Sequence, residues 1–286
     1  MFGKRNDGID ISRGMDPLVL FLPLAMPTRC ESMVNITYPA EYEPMAEYIK
    51  SHKGAPNAIS FVTIIAAAYV RTVYHWPVMN RFIAGRRIYR HNDIAICMTV
   101  LKDGGVNTHD EDLLKIYADP EDTIFDVAEK LNAEITNIRE SKTESGSVAF
   151  AGSLLRLPVL PDVVMWLLRR LEKWGMVPKA LRKISPFHCS LYITNLMSIG
   201  LPHAHHHLYN FGTCSIFMSI GKPERQVITT SGEVSRKPML PLGFVTDERV
   251  CGGIDYAKGV HCFLNYLKHP ELLELTVEEE KALTAK

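Results

Sequence analysis

The chain has 286 residues, 32 lysines and arginines against 32 aspartates and glutamates, and 47% hydrophobic residues. That balance excludes a generally basic nucleic-acid binder and a chain held disordered by like charge, and the length allows one large domain or two small ones, each with a full core. Six scattered cysteines include no Cys-x-x-Cys pair, which argues against a zinc ribbon or a thioredoxin-type motif and for a reduced, cytoplasmic chain.

The apolar run at 18–26 is short and broken by Pro23, and the run at 59–73 contains Arg71 and falls short of the roughly 20 residues of a membrane helix. Neither reads as a leader or a span, so a soluble protein is expected. Residues 29–38 read as a strand through β-branched Val34, Ile36 and Thr37, ended by Pro39. EYEPMAEYIKSHKG predicts a short helix that stops at Gly54. Ser60 stands where an N-cap hydroxyl would, ahead of FVTIIAAAYVRTVYHW, whose nearly all-round apolarity predicts a helix buried on most faces and ended by Pro77.

The period then shortens to two. Arg81 to Ile83, a turn at Ala84-Gly85 and residues 86–90 predict a hairpin, followed by a strand in which Ile94, Ile96, Met98 and Val100 alternate with smaller residues. Asp119-Pro120-Glu121-Asp122 reads as a helix start, with Ile124, Ala128, Leu131, Ile135 and Ile138 on one core-facing stripe behind it. Residues 154–184 stand apart, with seven cations against two carboxylates. Within them Val164, Leu167, Leu168, Leu171 and Trp174 share one helix face, and Arg169, Arg170, Glu172 and Lys173 the other. Such a segment can pack by its apolar side, hold phosphates or lie on an anionic membrane, here through 161–184. Strands follow in SLYITNL, TCSIFMSIG and QVITTSGEVSRKPMLPLGFVT, with Gly232 at a hairpin turn. A last helix carries Val260, Phe263, Leu264 and Leu267, and the charged tail reads as a frayed helix.

Two clusters carry residue types suited to chemistry. His203, His205, His206 and His207 fall within five positions, yet adjacent histidines seldom converge on one ion and no acid or cysteine flanks them, so a catalytic or substrate-facing histidine is the stronger reading and no metal is expected. The second cluster, Thr246 to Asp255, joins a strand to the last helix through two glycines.

The order LYITNLMSIG, a loop, GEVSRKPMLPLGFVTDERVCGG, then FLNYLKHPELLEL resembles the catalytic domain of dihydrolipoamide acyltransferases, the core subunits of 2-oxoacid dehydrogenase complexes. It is also similar to chloramphenicol acetyltransferase, which shares that fold. The upstream stretch ISFVTIIAAAYVRTVYHWPVMNRFIAGRRIYRHNDIAICMTV extends the likeness, which runs from about 29 to 275 with one gap. The resemblance implies an α+β, two-layer sandwich of the chloramphenicol acetyltransferase type, a mixed sheet with helices on one face. It implies an N-terminal extension at 1–28, a catalytic-type domain at 29–286, and a basic helical insert at 154–184.

In that family a His-x-x-x-Asp-Gly motif supplies the general base, and a hydroxyl from a neighbouring subunit of a trimer stabilises the oxyanion. Here Glu248 occupies the histidine position, Gly252 the Asp position, and Gly253 remains; Thr194 matches the hydroxyl. The resemblance therefore implies a stand-alone homotrimeric acyltransferase with CoA or an acyl-CoA as substrate, no covalently bound cofactor and a small-molecule acceptor. In it Glu248 is paired with His206 or His207 as the acid-base residues, and Thr194 is the oxyanion donor. Loss of the motif residues keeps open a catalytically inactive trimeric scaffold or ligand-binding homologue.

Overall fold

The computed structural model describes residues 5–101, 111–140, 152, 159–230 and 233–284. In chain order the strands are β1 (Gly8–Asp10), β2 (Met33–Glu41), β3 (Arg81–Ala84), β4 (Arg87–His91), β5 (Ile94–Leu101), β6 (Glu111–Ala118), β7 (Leu191–Asn195), β8 (Ile216–Ile220), β9 (Glu224–Thr230) and β10 (Glu233–Asp247). The helices are α1 (Pro17–Ala25), α2 (Tyr42–Ser51), α3 (Phe61–His75), α4 (Ile124–Glu140), α5 (Leu160–Lys173), α6 (Lys179–Ile184), α7 (Gly253–Lys268) and α8 (Val277–Thr284).

The main sheet runs β2-β10-β8-β7-β5-β6, with β9 paired to the first half of β10. It is mixed: β7 lies parallel to β5 and β8, and the other pairs are antiparallel. A small second sheet, β1-β4-β3, joins residues 8–10 to the hairpin. Helices α2, α3, α4 and α7 bury their apolar sides against one face of the main sheet, where Ile96, Met98, Leu191, Ile193, Met218, Leu242 and Phe244 belong to one core.

Helix α3 is the centre of that core. Its start is fixed by a reciprocal cap, in which Ser60 Oγ accepts from Thr63 N–H and Thr63 Oγ1 accepts from Ser60 N–H, both at 3.2 Å. Every residue from 62 to 73 is buried, as its all-round apolarity predicts, and this includes Arg71 at 0% exposure. The Arg71 charge is met from the C-terminus: Nη1 donates to Glu280 Oε2 and Nη2 to Leu275 O, each at 2.6 Å. The tail is therefore a docked helix and not a frayed one, because its carboxylate neutralises the one cation inside α3.

Other local expectations shift for identifiable reasons. β2 runs through Pro39 to Glu41, since an edge strand tolerates a residue without N–H on its open side. The β3–β4 turn is Gly85-Arg86, one residue later than expected, with φ of 56° and 67°. Helix α4 starts at Ile124 because Thr123 and Asp126 cap it reciprocally, while Asp119 and Asp122 bind Lys130. Strand β6 was not foreseen in the sequence. The Gly232 turn lies outside the described residues.

The face of α5 expected to pack does so only in part: Leu168 is buried at 9% and Val164 and Leu171 are half-buried, but Leu167 is 47% and Trp174 56% exposed. What holds the segment is its polar side and its downstream end. Glu172 Oε1 accepts from Gly212 N–H at 2.6 Å, and Lys115 Nζ donates to the carbonyls of Arg182, Ser185 and His188 at 2.5–3.1 Å. Replacing Lys115 by methionine is expected to leave three carbonyls at the end of α6 without their donor and lower the melting temperature by several degrees, which calorimetry measures.

Candidate active site

The second face of the main sheet carries the chemistry-bearing residues. Along β7, Tyr192 and Thr194 point away from the helices, as their partners Phe217 and Ser219 do on β8. Tyr192 and Phe217 stack at 4.7 Å, and Tyr192 Oη meets Thr99 Oγ1 at 2.9 Å. Thr194 is half-buried and lines a cavity of about 550 Å³ with Ser60, Thr99, Asn132, Asn195 and Ser198.

The histidine-rich segment crosses this face. Ser219 Oγ donates to Ala204 O at 2.5 Å and accepts from Ala204 N–H at 3.0 Å, which pins the loop to β8. A side chain at Gly243, opposite Ser219 on β10, would collide with Ala204 O at 2.7 Å, so glycine is what lets the loop lie so close. His203 and His205 both reach Thr37 Oγ1, at 2.9 and 3.2 Å, and Leu208 is buried with Phe217 and Val245.

His206 lies flat on Phe217, with ring centroids 4.3 Å apart and planes at 10°. Its Nδ1 is 2.9 Å from the carbonyl of His207. A carbonyl only accepts, so this contact puts a proton on Nδ1, and in the neutral ring Nε2 then presents its lone pair, the tautomer a general base needs. His207 stacks on the His206 ring at 4.6 Å and is exposed. Among the described residues no group of three or more His, Cys, Asp or Glu side chains is arranged to hold a metal ion.

The register sets the distances between the expected site residues. Phe217, on which His206 lies, is one strand over and two residues back from Thr194, an offset of roughly 8 Å at ~3.3 Å per residue and ~4.8 Å per strand, and His206 is farther still because Tyr192 of β7 stacks on Phe217 from the other side. Glu248 follows the end of β10, five residues beyond Gly243 and two strands from β7, so it sits roughly 20 Å from Thr194. Its side chain is exposed, and among the described residues it makes no hydrogen bond or ion pair with a histidine. One chain thus sets the Phe217–His206 pair between Thr194 and Glu248, which lies roughly 11 Å from Phe217 by the same spacing, and keeps Thr194 and Glu248 apart.

The residues beside Glu248 are structural. Asp247 is fully buried and takes Arg249 through two bonds of 2.7 Å, with Ser32 Oγ at 2.9 Å and Arg29 Nε at 3.6 Å. Asp247→Asn is expected to leave two buried guanidinium groups short of a counter-charge and cost about 3 kcal/mol or more, read as a lower midpoint in urea unfolding.

Sequence reasoning missed Glu172, which helix periodicity puts on the solvent side of α5. Burial raises its carboxyl to about 7 against the opposing pull of Arg29, the Gly212 N–H and Arg5. Folding therefore favours the neutral form. This contribution is fully present below about 4.5 and is lost as the pH rises through about 7. Glu172→Gln is expected to raise the melting temperature at pH 8, by the equivalent of roughly 2–3 kcal/mol, and to leave it nearly unchanged at pH 4. Paired thermal melts at the two pH values test this.

No family model and no curated protein matches the chain in sequence. Solved structures match it in fold. The cubic core of a pyruvate dehydrogenase multienzyme complex superposes with a TM-score of 0.59 at 14% identity, over 85% of this chain and 84% of that one. A probable dihydrolipoamide acetyltransferase from Listeria monocytogenes 4b F2365 gives 0.59 at 11% identity, over 93% and 95%. A chloramphenicol acetyltransferase gives 0.52 at 11% identity, over 91% and 97%. The chain therefore has the chloramphenicol acetyltransferase-like fold of these acyltransferase catalytic cores, as its sequence resemblance implies.

Proposed function

We propose that this chain is an acyltransferase that moves an acyl group from a thioester, such as an acyl-CoA, to a small acceptor, and that His206 is its general base. The observation that carries the reading is the His206 geometry: Nδ1–H held by the His207 carbonyl, the ring fixed on Phe217, and Nε2 left as acceptor on the sheet face that also bears Thr194. His206 Nε2 takes the proton of an acceptor hydroxyl as its oxygen attacks the thioester carbonyl, and the new C–O bond gives a tetrahedral oxyanion. The Thr194 hydroxyl donates to that oxyanion. Collapse breaks the C–S bond, and the imidazolium returns its proton to the departing thiolate, so His206 ends as it began.

Glu248 reaches Thr194 in this scheme only from another subunit, because its own chain holds the two roughly 20 Å apart. The multimeric core among the similar structures supports a homo-oligomer, and we assign a homotrimer in which Glu248 of one subunit faces the Thr194 and His206 of the next. CoA is substrate in this reading, and nothing is bound covalently. A second reading, a catalytically inactive trimeric scaffold or ligand-binding homologue, is favoured by Glu248 and Gly252 standing at the motif's His and Asp positions. Purified protein incubated with a panel of acyl-CoAs separates the two: release of free thiol that depends on added acceptor supports the transferase, and absence of both turnover and CoA binding leaves the scaffold.

A further inference from the structure

Cations from four separate elements converge on a second cavity, of about 470 Å³. Its wall includes Arg29 before β2, Arg86 at the β3–β4 turn, Arg169 and Lys173 on α5, and Arg249 after β10. Glu172 is the one carboxylate on that wall among the described residues, and Asp247 stands behind it against Arg29 and Arg249. Five cations therefore face two carboxylates.

Arg29 and Arg249 are buried, at 4% and 2% exposure. Arg29 spends its Nη groups on the carbonyls of Tyr209 and Gly212, at 2.5 and 3.0 Å, while its buried Nε–H makes no hydrogen bond. Arg86, Arg169 and Lys173 are exposed and make no ion pair within the described chain. Basic residues in the last turn of a helix complement its dipole, which here accounts for Lys173 on the wall but not for Arg169. Asp247 accounts for Arg29 and Arg249, whereas Arg86 and Arg169 on the same wall have no counter-charge among the described residues.

Arg86 carries an independent mark. It has a φ of 67°, directly after Gly85 at 56°, in a two-residue turn that favours glycine or asparagine at both positions. A long side chain in that backbone conformation is strained, and here it carries a guanidinium to the hairpin tip. Guanidinium groups in a partly buried cleft bind phosphate oxygens in pairs, with charge-assisted hydrogen bonds.

We infer that this cavity binds the phosphate of a phosphate-bearing ligand, supplied either by a soluble phosphate ester or by the headgroup of an anionic lipid. The second source is served by the cavity's surroundings: Pro23 of α1 lines it, and on α1 and α5 the apolar side chains of Leu18, Phe21, Val163 and Trp166 are exposed. The site stands apart from the acyl-transfer reading, since none of its residues takes part in that chemistry.

The test uses the full chain and two probes, inorganic pyrophosphate by isothermal titration and flotation with vesicles of phosphatidylcholine alone or with phosphatidic acid. Arg86→Asn suits the positive φ, so it should fold at least as stably while removing the charge; the exposed double variant Arg169→Gln/Lys173→Gln gives a second check. Binding of pyrophosphate that weakens about tenfold or more in each variant supports the site with a soluble ligand. Enrichment on phosphatidic acid vesicles alone, lost in the same variants, supports the headgroup. No binding to either probe, or binding that both variants leave unchanged, overturns the proposal.

Discussion

Glu280→Ala is expected to lower the melting temperature by on the order of 10 °C, although Glu280 lies only six residues from the end of the chain. The reason is its partner. Arg71 is fully enclosed in α3, and removal of the carboxylate leaves a guanidinium in an apolar core with the Leu275 carbonyl as its one remaining acceptor at 2.6 Å. Breaking a buried pair in this way costs about 3–5 kcal/mol, whereas replacing both members by well-packed apolar residues is often neutral. Arg71→Met combined with Glu280→Leu should therefore recover much of the loss, and a melt of the double variant as low as that of Glu280→Ala would refute the account. The pH dependence has a definite sign. Burial alone would raise the Glu280 carboxyl, but hydrogen bonds from Tyr266 and Arg71 outweigh it and hold it below its ordinary value. Its contribution is thus present above about 4.5 and is lost as the pH falls through the lowered value, so α8 should release in acid before the rest of the fold.

His206→Ala is expected to reduce acyl transfer by about 10²–10⁴-fold, the usual worth of a positioned base. His207→Ala should cost less than about tenfold, because the carbonyl that fixes the His206 tautomer belongs to the backbone and survives the substitution. Thr194→Val keeps shape but removes the donor to the oxyanion, and a loss of roughly 10²-fold in kcat with little change in KM is expected. If the site spans two subunits, mixing Glu248→Gln chains with Thr194→Val chains restores part of the activity that each lacks alone. Rates within a factor of two of wild type for His206→Ala would remove it from the mechanism.

Much of the fold is legible in the residues that fix it. Ser60 ahead of an all-apolar run gives α3, and the Val260, Phe263 and Leu267 stripe gives the buried side of α7. β6 escapes notice because its charges are not on an open face: Asp112 is buried and Lys115 is consumed by three carbonyls, which erases the alternation that marks a half-buried strand. The docked tail left a signal in Arg71, since a cation inside a helix with no polar face demands a carboxylate from elsewhere. Among the proposed site residues, Thr194 is singled out by its place in a family pattern and His206 by its residue type. The separation of Glu248 from Thr194 depends on strand register, which no local pattern encodes. Glu172 was hidden because α5 inverts the usual rule, with Trp166 exposed on its surface and a carboxylate turned inward.

The pairing of Pro39 with Pro241 bears on how copies of this chain can associate. In an antiparallel ladder the N–H and C=O of a residue point to the same side, and Pro241 O accepts from Gly221 N–H, toward β8. Pro39, directly opposite in a non-hydrogen-bonded position, therefore directs its own missing N–H outward. A strand from another molecule laid along β2 would find no donor midway. Growth of the sheet across a molecular boundary is hindered at that edge, while the edges at β6 and β9 carry no such proline pair in the ladder.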